Sequence, residues 1–69
     1  MEIKELILNS RNQLDLLRRL YTVKTEGYIL ISLGKGAYIE IDNLIRIVED
    51  IPFSFTLLDI YDFIIELYM

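Results

Sequence analysis

Two strand-forming runs, Tyr28 to Leu33 and Ala37 to Ile41, stand on either side of Gly34-Lys35-Gly36, and this spacing constrains the fold more than any other feature of the chain. A three-residue loop would pair Leu33 with Ala37, Ile31 with Ile39 and Ile29 with Ile41. Every pair is apolar and lies on one face, so loop length and hydrophobic register agree on a β-hairpin. Gly36 is expected in the left-handed conformation that such loops require. The opposite face, formed by Tyr28, Leu30, Ser32, Tyr38 and Glu40, is only half polar. Because a lone hairpin is marginal in water, helices should cover the first face, and a partner chain or a third strand the second.

Around the hairpin the apolar spacing is helical. Ile3, Leu6 and Ile7 follow an i, i+3, i+4 pattern, which favours a short helix over residues 2–8, with a strand as the alternative. Ser10 followed by Gln13 has the form of a capping box and would open an amphipathic helix over 11–24. Leu14, Leu16, Leu17, Leu20, Tyr21 and Val23 occupy one half of its wheel, and Asp15, Arg18, Arg19 and Thr22 much of the other. Asp42 or Asn43 would cap a helix over 43–50 that turns Leu44, Ile45, Ile47, Val48 and Ile51 inward. Pro52 should end it, since the residue before a proline is pushed out of the helical region. Phe53-Ser54-Phe55 reads as a short edge strand or as a loop with two anchors. Thr56 and Asp59 form a second capping box, with aspartate in the acidic position, ahead of a final helix. The order is α-α-β-β-α-α: a single α+β domain over residues 1–69, with a central hairpin packed by amphipathic helices.

The final helix carries more apolar surface than one neighbour needs. At 100° per residue Asp59, Asp62 and Glu66 share roughly 60° of its wheel. Leu57, Leu58, Ile60, Tyr61, Phe63, Ile64, Ile65, Leu67, Tyr68 and Met69 fill about 240° of what remains. One side should pack on the chain's own fold and the other on another chain. The chain is 54% apolar over only 69 residues, and without cysteine or histidine neither a disulfide nor a zinc site of the usual kind can supplement its core. Association is the remaining route. The expected arrangement is a homodimer through Ile60, Phe63, Ile64, Leu67 and Tyr68, joined by Tyr28, Leu30 and Tyr38. Of the five tyrosines, Tyr21 and Tyr61 read as core, whereas Tyr28, Tyr38 and Tyr68 suit an interface.

Composition argues against most catalytic chemistry. Histidine, the commonest base for a nucleophile, is absent, and Ser10, Ser32 and Ser54 have simpler uses as cap, strand residue and turn. Glu49-Asp50 at a helix end, and the stripe of Asp59, Asp62 and Glu66, lack the polar constellation that acid–base work or magnesium binding needs. Gly34-Lys35-Gly36 lacks the glycine spacing and Lys-Ser/Thr pair of a phosphate loop and leads into a strand. No catalytic residue, metal or cofactor is therefore expected. Charges in Met1 to Glu5 oppose a secretory leader, no stretch is apolar enough to span a bilayer, and the carboxylate stripe opposes binding to an anionic membrane. The cytoplasm is the expected location.

Charge is unevenly spread. The net charge is −4, yet residues 1–24 hold five cations against three carboxylates, while residues 25–69 hold two against eight. The halves can neutralise each other within a monomer or across a dimer, or serve as separate working surfaces. Two such surfaces stand out: the acidic stripe Asp59, Asp62 and Glu66, and an arginine face of Arg11, Arg18 and Arg19. With a short helix before it and the hairpin as a wing, the arginine face would imitate a helix-turn-helix on DNA, although a chain this acidic repels the duplex. The leading expectation is a small non-enzymatic protein–protein interaction module, a regulator, adaptor or inhibitor of a size suited to phage or plasmid coding. The alternative is a small DNA-binding regulator.

Overall fold

The computed structural model describes residues 1–68. Its elements are α1 (Ile3–Leu8), α2 (Gln13–Thr25), β1 (Leu30–Gly34), β2 (Ala37–Glu40), α3 (Ile41–Asp50) and α4 (Leu57–Tyr68), the expected α-α-β-β-α-α order. Met69, counted above in the apolar arc of the last helix, lies outside the described residues. Residues 2–8 take the helical option. Met1 and Glu2 nevertheless run beside β1: the Ser32 amide donates to the Met1 carbonyl at 3.0 Å, and Glu2 bridges Ser32 in parallel. The outer edge of β1 is thereby partly covered.

Helix α2 does not begin on the expected capping box. Asn12 caps it, its side chain accepting from the Asp15 amide at 2.8 Å. Ser10 instead faces backward, its hydroxyl donating to the Leu6 carbonyl at 2.7 Å and closing the end of α1. Gln13 is buried rather than reaching back to Ser10. Its amide nitrogen donates to the carbonyls of Val48 at 2.8 Å and Ile51 at 2.7 Å. The reason lies in the far helix. In α3 the Val48 carbonyl would bond to the N–H of residue 52, and residue 52 is a proline with no N–H to give. Ile51 is extended (φ −74°, ψ 133°), as a residue before proline should be. Gln13 supplies across 35 residues what Pro52 withholds. At its other end α2 closes on Gly27 (φ 100°), with Gly27 donating to Lys24 and Tyr28 to Val23, the two bonds of a Schellman motif.

The hairpin keeps its register but not its expected loop. Ile31 faces Ile39, Ser32 faces Tyr38 and Leu30 faces Glu40, while Ala37 pairs with Gly34 rather than Leu33. A bulge between Ser32 and Gly34 absorbs the odd residue, so a two-residue turn leads into the register of a three-residue loop. Lys35 (φ 54°) and Gly36 (φ 80°) supply the positive φ pair that a type I′ turn needs. Gly36 was the expected member; Lys35 carries a side chain in the same strained region. Replacing it with asparagine, the residue best suited there, should raise stability by about 0.5–1 kcal/mol in a denaturant titration.

Helix α3 starts two residues earlier than expected, and Glu40 stands at its N-cap without a side-chain bond. Asp42, read as a cap, instead pairs with Lys24 at 2.7 Å. Helix α4 opens as expected: the Thr56 amide donates to the Asp59 carboxylate at 3.0 Å, and the Asp59 amide to the Thr56 hydroxyl at 3.1 Å. Of the two phenylalanine anchors only Phe55 holds. It is half-buried and meets Phe63 edge-to-face, with centroids 6.3 Å apart. Phe53 is 83% exposed.

The core has one composition. Ile3, Ile7, Leu16, Leu20, Ile31, Leu44, Val48, Ile60 and Ile64 are its deepest members, and every buried apolar side chain is isoleucine, leucine or valine. None of the five tyrosines or three phenylalanines is buried. Tyr21, read as core, stands exposed with its hydroxyl 3.3 Å from Glu49, and Tyr61 is half-buried. Aromatic rings ordinarily dominate core energetics; here all of them lie at or near the surface.

Candidate functional site

The expected interface splits when it is placed on the fold. Ile60 and Ile64 are 0% exposed and belong to the chain's own core, where α4 packs against α1, so they offer nothing to a second chain. This corrects their assignment to a dimer contact. The apolar arc counted on the wheel was real, but its centre is consumed internally. Phe63, Leu67 and Tyr68 remain exposed, as do Tyr28, Leu30 and Tyr38. Phe63 and Leu67 line one surface, a groove; Leu30 and Tyr38 lie on another, the outer face of the hairpin, with Tyr28 leading into it; Tyr68 lines neither.

The first lies between α3 and α4. Helix α3 packs on α2 and α4 on α1, and a groove of about 250 Å³ opens between them. Ile47 and Ile51 form one wall, Phe63 and Leu67 the other, with Pro52 and Phe55 completing the lining. Asp50 stands on its rim. The second surface is the outer face of the hairpin. Its register sets Leu30 opposite Glu40 and Tyr38 opposite Ser32, so Leu30 and Tyr38 are diagonal neighbours on one face. Tyr38 is 60% exposed. Ile29 was expected to turn inward with Ile41. Its carbonyl does accept from the Ile41 amide at 2.9 Å, but Ile41 is buried while Ile29 is 71% exposed.

The acidic stripe divides in the same way. All three are exposed, and Asp59 is engaged as a helix cap while Asp62 and Glu66 make no ion pair among the described residues. No group of three or more metal-ligating side chains converges among the described residues. The arginines do not share a helix face. Arg11 precedes α2, and its backbone N–H donates to the Asp15 carboxylate at 2.9 Å. Arg19 is tied to the same carboxylate at 3.2 Å. The Arg11 N–H, followed by the Arg19 guanidinium, holds the Asp15 carboxyl below its ordinary range. Only the Arg19 guanidinium is tied; the side chains of Arg11 and Arg18 are exposed and make no ion pair among the described residues. Lys24 is pushed above its usual pKa by its bond to Asp42, which also keeps both charges at the hairpin's edge.

A cleft of about 680 Å³ lies between the start of α2 and residues 53–58. Asn12 and Thr56 are committed to helix caps and the Gln13 amide nitrogen to α3, while the buried Gln13 Oε1 has no hydrogen-bond partner among the described residues. The cleft's only charged lining residue is Arg11. Sequence reasoning missed the role of Gln13, although a glutamine at the head of one helix and a proline just past the end of another were the available signal. No described helix is long and apolar enough to cross a membrane. Comparison of the chain with protein-family models, curated proteins and solved structures returns no match.

Proposed function

We propose that the chain is a small non-enzymatic protein-interaction module, a regulator, adaptor or inhibitor acting in the cytoplasm, and that it self-associates through the outer face of its hairpin. The observation that carries this reading is the separation of an all-aliphatic core from a surface that holds every aromatic ring. Tyrosine and phenylalanine are enriched at the centres of interfaces, where large rigid rings bury area at low entropic cost. Grouped exposure of this kind marks a contact surface, whereas scattered exposure does not.

Charge decides which surface suits a second copy. A two-fold contact brings each patch against itself, so its rim must carry both signs. The hairpin rim does, with Lys35 and Glu40 of opposite sign on the hairpin that carries Leu30 and Tyr38, and the closed Lys24–Asp42 pair at its edge adding no net charge. Light scattering behind a sizing column should find a dimer at high protein concentration that gives way to monomer on dilution. Tyr38→Lys, at an exposed position, should yield monomer with an unchanged far-UV spectrum. Wild-type monomer at every concentration would remove self-association from this reading, and an undiminished dimer in the variant would remove the hairpin face as its surface.

A further inference from the structure

We propose that the groove between α3 and α4 is a docking site for a basic amphipathic helix of another protein; this rests on the interaction-module reading and names the partner's chemistry. The groove has the form that helix-in-groove recognition uses: apolar side chains on two flanking helices, with Pro52 and Phe55 completing its lining. Its volume of about 250 Å³ suits anchor side chains rather than a whole ligand. Phe63 and Leu67 are one turn apart on α4, and Ile47 and Ile51 one turn apart across α3 and its cap, so both walls repeat at the spacing of an incoming helix's i, i+3/i+4, i+7 anchors.

The rim selects the partner. Asp59 and Glu66 lie one turn before and after Phe63, Asp62 adjoins it, and Asp50 lines the other wall. The two helices together hold six carboxylates against the single cation Arg46. Asp42 is neutralised by Lys24, but no ion pair within the described residues engages Asp50, Asp62 or Glu66. A second copy seated here by a two-fold would press these carboxylates against one another, which charge complementarity forbids. A helix with lysine or arginine flanking a leucine or isoleucine stripe would match both features at once.

The test uses the full chain and three synthetic helical peptides, titrated by fluorescence anisotropy at low and high salt. The first has an apolar stripe flanked by lysine, the second has glutamate in place of lysine, and the third keeps the first one's composition in scrambled order. The lysine peptide should bind at least about tenfold more tightly than either other, and weaken as salt rises. Leu67→Ser and Asp62→Asn/Glu66→Gln should each weaken it by about tenfold, the first removing an anchor and the second the rim charge. The hairpin dimer, measured by mass without peptide, should be unaffected by Leu67→Ser. Equal binding of the three peptides, or no detectable binding, overturns the groove assignment while a persisting dimer leaves the module reading in place. Loss of the dimer in Leu67→Ser overturns it too, because a second copy would then occupy the groove.

Discussion

Gln13→Leu is expected to lower the stability of the fold by about 3 kcal/mol. The substitution is nearly the same size and more apolar, so area burial alone would forecast a gain. The loss comes from the two carbonyls that Gln13 meets, Val48 and Ile51, both left without a donor. An unsatisfied buried group costs about 1–3 kcal/mol, and two are stranded together; removing the buried Gln13 Oε1, which has no partner of its own, offsets part of that loss and leaves about 3 kcal/mol. Gln13→Glu should be worse near neutral pH, because it sets a carboxylate against two carbonyl oxygens and supplies no hydrogen. A control isolates the mechanism. Pro52→Ala restores a backbone N–H at the residue that would normally serve Val48, so Gln13→Leu should cost less in that background than alone. Chemical denaturation of the four proteins forms the double-mutant cycle. Strict additivity would show that Gln13 does not stand in for the missing proline donor.

Ile64→Asp should remove most or all of the stability of the fold. Ile64 has no exposed surface, and its neighbours are aliphatic side chains of the single core. Burying an unpaired carboxylate there costs about 4 kcal/mol or more. A domain of 69 residues has roughly 3–10 kcal/mol in total. The milder Ile64→Ala should remove about 3 kcal/mol through lost contacts and a cavity. Leu67→Asp, one turn on but 56% exposed, should leave the fold intact. Circular dichroism and thermal melts separate these outcomes. A folded monomeric Ile64→Asp protein would mean that Ile64 faces a partner instead of the core.

The contrast between Ile64 and Leu67 also marks how far the sequence could be read. Periodicity placed the four helices and two strands in order, because a helical stripe and an alternating strand carry distinct spacings. It could not divide the broad apolar arc of α4 between an internal neighbour and solvent, since the wheel shows which residues are apolar and not how many sides are occupied. Ile60 and Ile64 point along the axis that meets α1, and only the packing of α1 reveals it. The hairpin register was legible from Ile31 and Ile39, whereas the bulge at Leu33 was not: a two-residue turn plus one extra strand residue gives the same pairing beyond it. The box at Thr56 and Asp59 was read correctly because both partners are local. The box at Ser10 and Gln13 failed because a long-range demand from α3 outcompeted the local bond. The arginine face failed for a related reason: one helix boundary moved by two residues, and Arg11 fell outside it.

The proposed site was legible in part. Tyr28, Leu30 and Tyr38 were identified from the half-polar face of the hairpin, and Phe63 and Leu67 from the arc of α4. That these form separate surfaces, one with a mixed rim and one acidic, depends on tertiary placement. So does the exclusion of every aromatic from the core.

The most direct measurement is a dilution series of amide chemical shifts on isotopically labelled protein. Dissociation of a hairpin dimer should move resonances from Tyr28 to Glu40 together, with those of Phe63 and Leu67 unchanged. Shifts confined to α4, or none at any concentration, would contradict self-association through the hairpin.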